Sequence, residues 1–201
     1  MGKVLSKPSK KKKLRSEPEA VEPLKSVKMP NKIKLTYFNG RGRAEVSRLM
    51  LAHKGVEYED CRLTGEQWGE LKPKTPFGGL PLLQYNGLEL AQSITIARFL
   101  ARELNLSGKT RMEEAQVDMV VDCVVDLFGA LLKAVFEKDE TKKAELMEKM
   151  QKETVPTAMS NLEAILAKNG GKYMVGNDVS VQSLFCGFHE LICQFVLGHL
   201  G

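Results

Sequence analysis

The sequence contains no run of eighteen apolar residues, which is about the least that a helix needs to cross the hydrocarbon core of a bilayer. Even its apolar end, Leu184 to Leu200, is broken by Gly187, His189, Glu190 and Gln194, so a transmembrane helix is not expected. The lysine-rich N-terminus has no hydrophobic stretch behind it. It therefore lacks the middle section of a secretory signal, and the expected location is cytoplasmic. Cysteine is scarce: Cys61, Cys123, Cys186 and Cys193 have neither the paired spacing of a zinc site nor the density of a disulfide framework. They read as reduced, small apolar residues of the core. Aromatic residues are absent from positions 1 to 29.

What is present is an ordinary globular composition, with 43% hydrophobic and 27% charged residues in 201, enough for one compact domain or two small ones. The formal charge of +5 is unevenly spread. Residues 1 to 29 hold nine Lys or Arg against three Glu, and the remainder is close to neutral. A groove-reading nucleic-acid protein is not indicated. The basic segment carries Pro8, Pro18 and Pro23 and has too little apolar surface to offset its ordering entropy, so we expect it to be disordered. It begins Met1-Gly2-Lys3-Val4-Leu5-Ser6, with Lys10 to Lys13 close behind. Gly2 fits the pattern for N-terminal acylation, and the lysines supply the second, electrostatic signal that a single acyl chain needs at an anionic membrane surface. A nuclear-import patch and a plain solvated tail are the other two readings of the same residues.

From Lys32 to Phe38 the pattern KIKLTYF places Ile33, Leu35 and Tyr37 on one face of a strand, and Asn39-Gly40 turns the chain. A helix follows over about Ala44 to Lys54 with Val46, Leu49, Met50 and His53 at helical spacing, ending near Gly55. Val56 to Leu63 reads as strand. The next stretch, a helix or loop, holds Trp68 and Lys72 before Pro73 and Pro76. Gly79 to Tyr85, Asn86-Gly87 and Leu88 to Leu90 then form a hairpin signal of the two-residue type. Pro81 inside the first arm marks an edge, a bulge or a cis bond; if cis, the backbone of Leu80 is available to an extended, peptide-like ligand. A last helix starts at Gln92-Ser93, with Ser93 expected as N-cap and Ile94, Ile96, Ala97, Leu100, Ala101 and Leu104 as its buried stripe. Its unpaired first-turn amides suit a carboxylate.

The strings YFNGRGRAEVSRLMLA, PFGGLPLL and NGLELAQSITIARFLAREL, with Trp68 and Lys72 between the first two, resemble the glutathione transferase family, most closely the sigma class that includes haematopoietic prostaglandin D synthase. The likeness runs from about Met29 to Ser180. It implies an α+β architecture: a thioredoxin-like domain of order β-α-β-α-β-β-α over about 30–106, then an all-helical domain over 107–201, assembled as a homodimer. By resemblance, Tyr37 hydrogen-bonds the glutathione sulfur. The physical need is plain, because a free thiol titrates at roughly 8.5 and only the thiolate is a strong nucleophile. Arg43 resembles the cation beside that tyrosine. Trp68 and Lys72 resemble the pair holding the glycine end of glutathione. Leu80, before Pro81, would read the cysteinyl backbone, and Gln92 with Ser93 would receive the γ-glutamyl carboxylate.

Arg111 to about Lys138 reads as one long helix, apolar over most of its circumference but crossed by Asp118, Asp122 and Asp126 at spacings of four. The family places an acid matching Asp126 at the dimer cleft, near the glutathione amine of the other subunit. The neighbouring acid expected in vertebrate prostaglandin synthases of the class is Val125 here, so no tight metal site is expected. Their pocket tryptophan corresponds to Lys133, which points away from prostaglandin isomerisation and toward conjugation of small electrophiles or reduction of organic hydroperoxides. A second helix is expected from Thr141 to Lys168, kinked at Pro156 and ended by Gly170-Gly171. Beyond Ser180 the resemblance fades. The aspartate expected three residues after that cap is Ser183, and Leu184 to Gly201 follows no family pattern. A chain stopping before the family's final helices would uncover apolar core surface. Two function classes therefore stand: an active transferase, and a non-catalytic, truncated or crystallin-like glutathione binder.

Overall fold

The computed structural model describes residues 32–187. The basic segment with Gly2 and Lys10 to Lys13, and the stretch 188–201, lie outside the described residues. Four strands form one mixed sheet in the order β2-β1-β3-β4: β1 (Ile33–Phe38), β2 (Glu59–Leu63), β3 (Leu82–Tyr85) and β4 (Leu88–Ala91). β1 and β2 are parallel, as a helical crossover requires, with Leu35 opposite Asp60 and Tyr37 opposite Arg62. β3 runs antiparallel to both β1 and β4. Asn86 (φ 51) and Gly87 (φ 84) turn the β3–β4 hairpin, the paired positive φ values that a tight two-residue turn demands. β2 starts three residues later than its sequence pattern suggests. The ladder with β1 begins only at Glu59, and the Val56 amide is taken by the Leu51 carbonyl at the end of the preceding helix.

That helix, α1 (Glu45–His53), packs against α3 (Ser93–Glu103). α3 buries most of the stripe expected of it, with Ile96, Ala97, Leu100 and Ala101 inside; on α1 Val46 and Met50 are buried as expected, but Leu51 joins them while Leu49 is half-buried and His53 exposed. The stretch between β2 and β3 resolves as a helix, α2 (Gly65–Leu71). Thr64 accepts from the Gln67 amide while the Gln67 side chain accepts from the Thr64 amide, a reciprocal cap that fixes where the helix begins. The Leu80–Pro81 bond is cis, and Pro81 lies just outside the β3 ladder.

The helical half opens with α4 (Arg111–Val135), capped by Thr110 through the Glu113 amide. The expected single helix over 141–168 is instead α5 (Glu140–Lys149), a five-residue π segment (Met150–Thr154) and α6 (Val155–Lys168). Pro156 sits in the first turn of α6. A proline lacks the N–H and crowds the carbonyl four residues back, and a wider π turn ahead of it accommodates both defects. A further helix, α7, begins at 181 and is described through 187. Its Val181 amide donates to the Leu106 carbonyl at 2.8 Å.

One hydrophobic core runs through both halves, from Ile33, Leu35 and Leu83 in the sheet through Leu100 and Leu106 to Val120, Val121, Val124, Leu162, Val181 and Phe185. A smaller cluster around Leu127, Phe128, Leu131 and Met150 packs the second half of α4 against the π segment and the start of α6. The start of α7 thus packs into the shared core, beyond the point where the sequence likeness fades. Gln182 is fully buried there, with its Nε2 lacking a partner and its Oε1 bonded to the Ser180 hydroxyl. Among the described residues no helix is long and apolar enough to cross a membrane.

Candidate functional site

Tyr37 stands near the end of β1, half-buried, where the strand hands over to the Asn39–Arg41 loop. Its hydroxyl oxygen accepts from the backbone N–H of Arg43 at 3.2 Å. This contact needs the chain to double back over the ring. Gly42, at φ +44, makes that possible, since a Cβ there would come within 2.6 Å of the Tyr37 Oη. The Arg43 guanidinium is 6.0 Å from the centroid of the Phe128 ring on α4. Tyr37 and Arg43 are therefore joined through the main chain of Arg43, while its cation, expected beside the tyrosine, lies over an aromatic face.

From Tyr37 a line of aromatic rings runs outward: Phe38 at 5.7 Å and then Trp68 of α2 at 5.8 Å from Phe38, both edge-on. Lys72 follows in the short turn Lys72–Lys74, its charge exposed, with its side chain facing Gly78. Leu80 is half-buried ahead of β3 and Pro81 is buried. On the other side, Gln92 leaves β4 with φ 72 and is itself the N-cap of α3, without a side-chain capping bond. The expectation that Ser93 caps this helix is corrected: Ser93 is its first residue, because the turn at Gln92 already sets the helical direction. Ser93 reaches a narrow cleft shared with Gly42, Arg43, Ile94, Val125 and Phe128. The N-terminus of α3, the Tyr37 loop and α4 thus converge on one seam between the sheet and the bundle.

Of the three acids on α4, Asp118 and Asp122 both pair with Arg98 of α3, at 2.8 and 2.6 Å. These two serve the contact between the halves. Asp126, one turn further on, is exposed, and no cation of the described residues pairs with it. Lys133 is exposed near the end of the same helix. A wide concavity of about 960 Å³ lies elsewhere, around Lys34, Glu59, Gln84 and Glu89. It contains none of the residues singled out above and one ion pair, Lys34 with Glu59, at its rim.

Three residues at the seam escape a reading of the sequence. Gly42 is hidden in a run of glycines and arginines, and Phe128 passes for one more apolar residue of α4. Arg48 is 6% exposed and gathers the loop beneath Tyr37. Its only signal in the sequence is a charge set among the apolar positions of α1. Farther away, burial and then the Glu103 carboxylate, which accepts from its hydroxyl at 2.7 Å, push the Tyr85 phenol up to about 12.

Comparison with known proteins gives concordant matches. Residues 33–102 match the glutathione S-transferase N-terminal domain and residues 125–186 its C-terminal domain, the latter reaching past the point at which the sequence likeness fades. Glutathione S-transferase 1 of Ascaris suum is 45% identical over 83% of this chain and 85% of its own. Hematopoietic prostaglandin D synthase of Gallus gallus is 40% identical over 84% and 80%. Among solved structures, the glutathione S-transferase of Ascaris lumbricoides superposes with a TM-score of 0.72 at 42% identity, covering 84% of this chain and 86% of that one.

Proposed function

Because the chain belongs to the glutathione S-transferase family of transferases, we propose that Tyr37 ionises the thiol of glutathione and that the chain joins the resulting thiolate to small electrophiles. The observation that carries this reading is the 3.2 Å bond from the Arg43 amide to the Tyr37 oxygen. With that oxygen accepting from the main chain, the phenolic proton is left to donate outward, to a sulfur in the cleft. A donor on the sulfur favours the thiolate over a thiol that otherwise titrates near roughly 8.5. The thiol proton leaves to solvent, and the thiolate, held by the Tyr37 O–H, attacks the electrophilic carbon: a C–S bond forms, and the leaving group departs with its electron pair.

The remaining contacts would hold the tripeptide in line. Trp68 and Lys72 take the glycine carboxylate, the Leu80 backbone reads the cysteinyl unit, and Gln92 with Ser93 receive the γ-glutamyl carboxylate at the unpaired amides of α3. Arg43 contributes a cation at the same seam. Asp126 faces outward and serves the glutathione amine of a second copy, so the working unit is a homodimer of the sigma class in the cytoplasm. Val125 in the cleft and Lys133 on α4 favour conjugation, with reduction of organic hydroperoxides by the same thiolate, over the prostaglandin D synthesis named in the Gallus gallus relative. Tyr37→Phe is the test: kcat with a model aryl halide should fall at least tenfold while glutathione affinity changes little. Unchanged turnover would remove Tyr37 from the mechanism, and absence of turnover in the parent chain would favour a glutathione-binding protein without catalysis.

A further inference from the structure

Among the described residues Arg48 is the one buried cation, and its bonds tie the loop backbone to two carboxylates. Nη1 donates to the Gly40 carbonyl at 2.6 Å, with the Arg41 carbonyl at 3.5 Å, and to the Glu45 carboxylate at 3.2 Å. Nε donates to Asp60 on β2 at 3.1 Å. The guanidinium carbon lies 5.9 Å from the centroid of the Tyr37 ring. Its Nη2 is buried and has no hydrogen-bond partner. A guanidinium taken out of water and left with an unpaired donor is costly for stability alone, so stability is a poor reason for it. What the fork does secure is the loop from Gly40 to Arg43, tied at once to β2 and to α1. That loop carries the amide that meets Tyr37 Oη.

We propose that Arg48 is a positioning residue for thiolate formation: it fixes the Gly40–Arg41 backbone so that the Arg43 amide meets the Tyr37 hydroxyl. The inference rests on the reading of Tyr37 as the donor to glutathione. Arg48 touches neither the sulfur nor the electrophile. Its planar fork is what spans two carbonyls and two carboxylates, a geometry that the point charge of lysine does not reproduce.

The test follows ionisation of the bound thiol directly, by the ultraviolet absorption of the thiolate as pH is varied, in the full chain saturated with glutathione. Arg48→Met should raise the thiol pKa by about one unit, so that turnover at acidic pH falls roughly tenfold and recovers at alkaline pH. Arg48→Lys should give a smaller rise and provides the readout if the methionine variant does not fold. Tyr37→Phe, measured alongside, separates the two levels of the argument. If it raises the thiol pKa and both Arg48 variants leave that pKa unchanged, lowering only the melting temperature, Arg48 is merely structural and the inference is overturned. If the parent chain shows no depressed thiol pKa and Tyr37→Phe changes nothing, the reading of Tyr37 fails and takes the inference with it.

Discussion

Adding one methyl group at Gly42 tests the geometry of the site more sharply than removing any side chain from it. A Cβ built there would lie 2.6 Å from Tyr37 Oη and 3.1 and 3.3 Å from two ring carbons, whereas carbon contacts settle at about 3.5–4 Å. The hydroxyl must therefore withdraw by most of an ångström. The fold tolerates this, since the obstructing atoms belong to a half-exposed side chain, and the φ of +44 costs an L-residue about 1–2 kcal/mol. For a chain of this length that corresponds to a fall in Tm of roughly 2–8 °C. The site is less forgiving. A hydrogen bond to a charged acceptor is worth about 1.5–3 kcal/mol, so moving the hydroxyl off the sulfur slows the reaction by about tenfold to a hundredfold. Gly42→Ala should show this loss in kcat/KM for a chromogenic aryl halide, with little change in KM for glutathione. Gly40→Ala is the control, because a Cβ there meets nothing within 4 Å. Full turnover by Gly42→Ala, or an equal loss in both variants, would refute the argument that close approach of the loop to Tyr37 sets the rate.

Other outcomes follow from the same geometry. Asp126→Asn should raise KM for glutathione in a chain that light scattering shows to be dimeric. Asp122→Asn, which loosens a largely exposed pairing with Arg98, should leave KM alone and cost under about 1 kcal/mol; equal effects would deny Asp126 its place across the dimer. The folded pKa of Tyr85 is about 12, against about 10 unfolded, so its contribution to stability is complete below pH ~10 and lost as pH rises through ~12. Melting curves of Tyr85→Phe should accordingly be flatter over that alkaline window, and parallel curves would dismiss the raised Tyr85 phenol as a source of the pH dependence. Gly2→Ala should release the protein from anionic membranes into the soluble fraction if Gly2 is acylated, and identical partitioning of the two chains would retire that reading.

Much of the sheet domain can be read from local signals. Asn86-Gly87 specifies its hairpin because few residue pairs accept two positive φ values, and the apolar spacing of α3 is strict enough to place Ile96 and Leu100 in the core. Tyr37, Trp68, Lys72 and Ser93 are legible only as a set whose order and spacing resemble one family, since each alone reads as ordinary strand, loop or helix start. The Thr64–Gln67 pair was there to be read as a helix start, and it distinguishes helix from loop without any tertiary information. Other features depend on neighbours that a linear reading does not supply. Val56 and Tyr58 alternate as strand residues should, yet β1 offers no partner before Glu59. The acidic stripe of α4 does not reveal, in the sequence, that Asp118 and Asp122 pair with Arg98 of α3. Arg48 is the clearest case: its partners are Gly40, Glu45 and Asp60, and only the parallel pairing of β1 with β2 brings the last of these to it.

The core that joins the sheet to the bundle has a consequence for how the molecule opens. Leu35 in β1 and Val121 in α4 belong to one packed cluster, so their amide hydrogens should exchange with solvent through the same rare event, at the same free energy, and not through separate opening of two modules. The boundary near residue 106 is then a boundary of chain order only. A fragment cut there would deprive the Leu106 carbonyl of the Val181 amide and Leu100 of the helical side of its cluster. The Asn39–Arg41 loop would then sit on a sheet that has lost part of its packing.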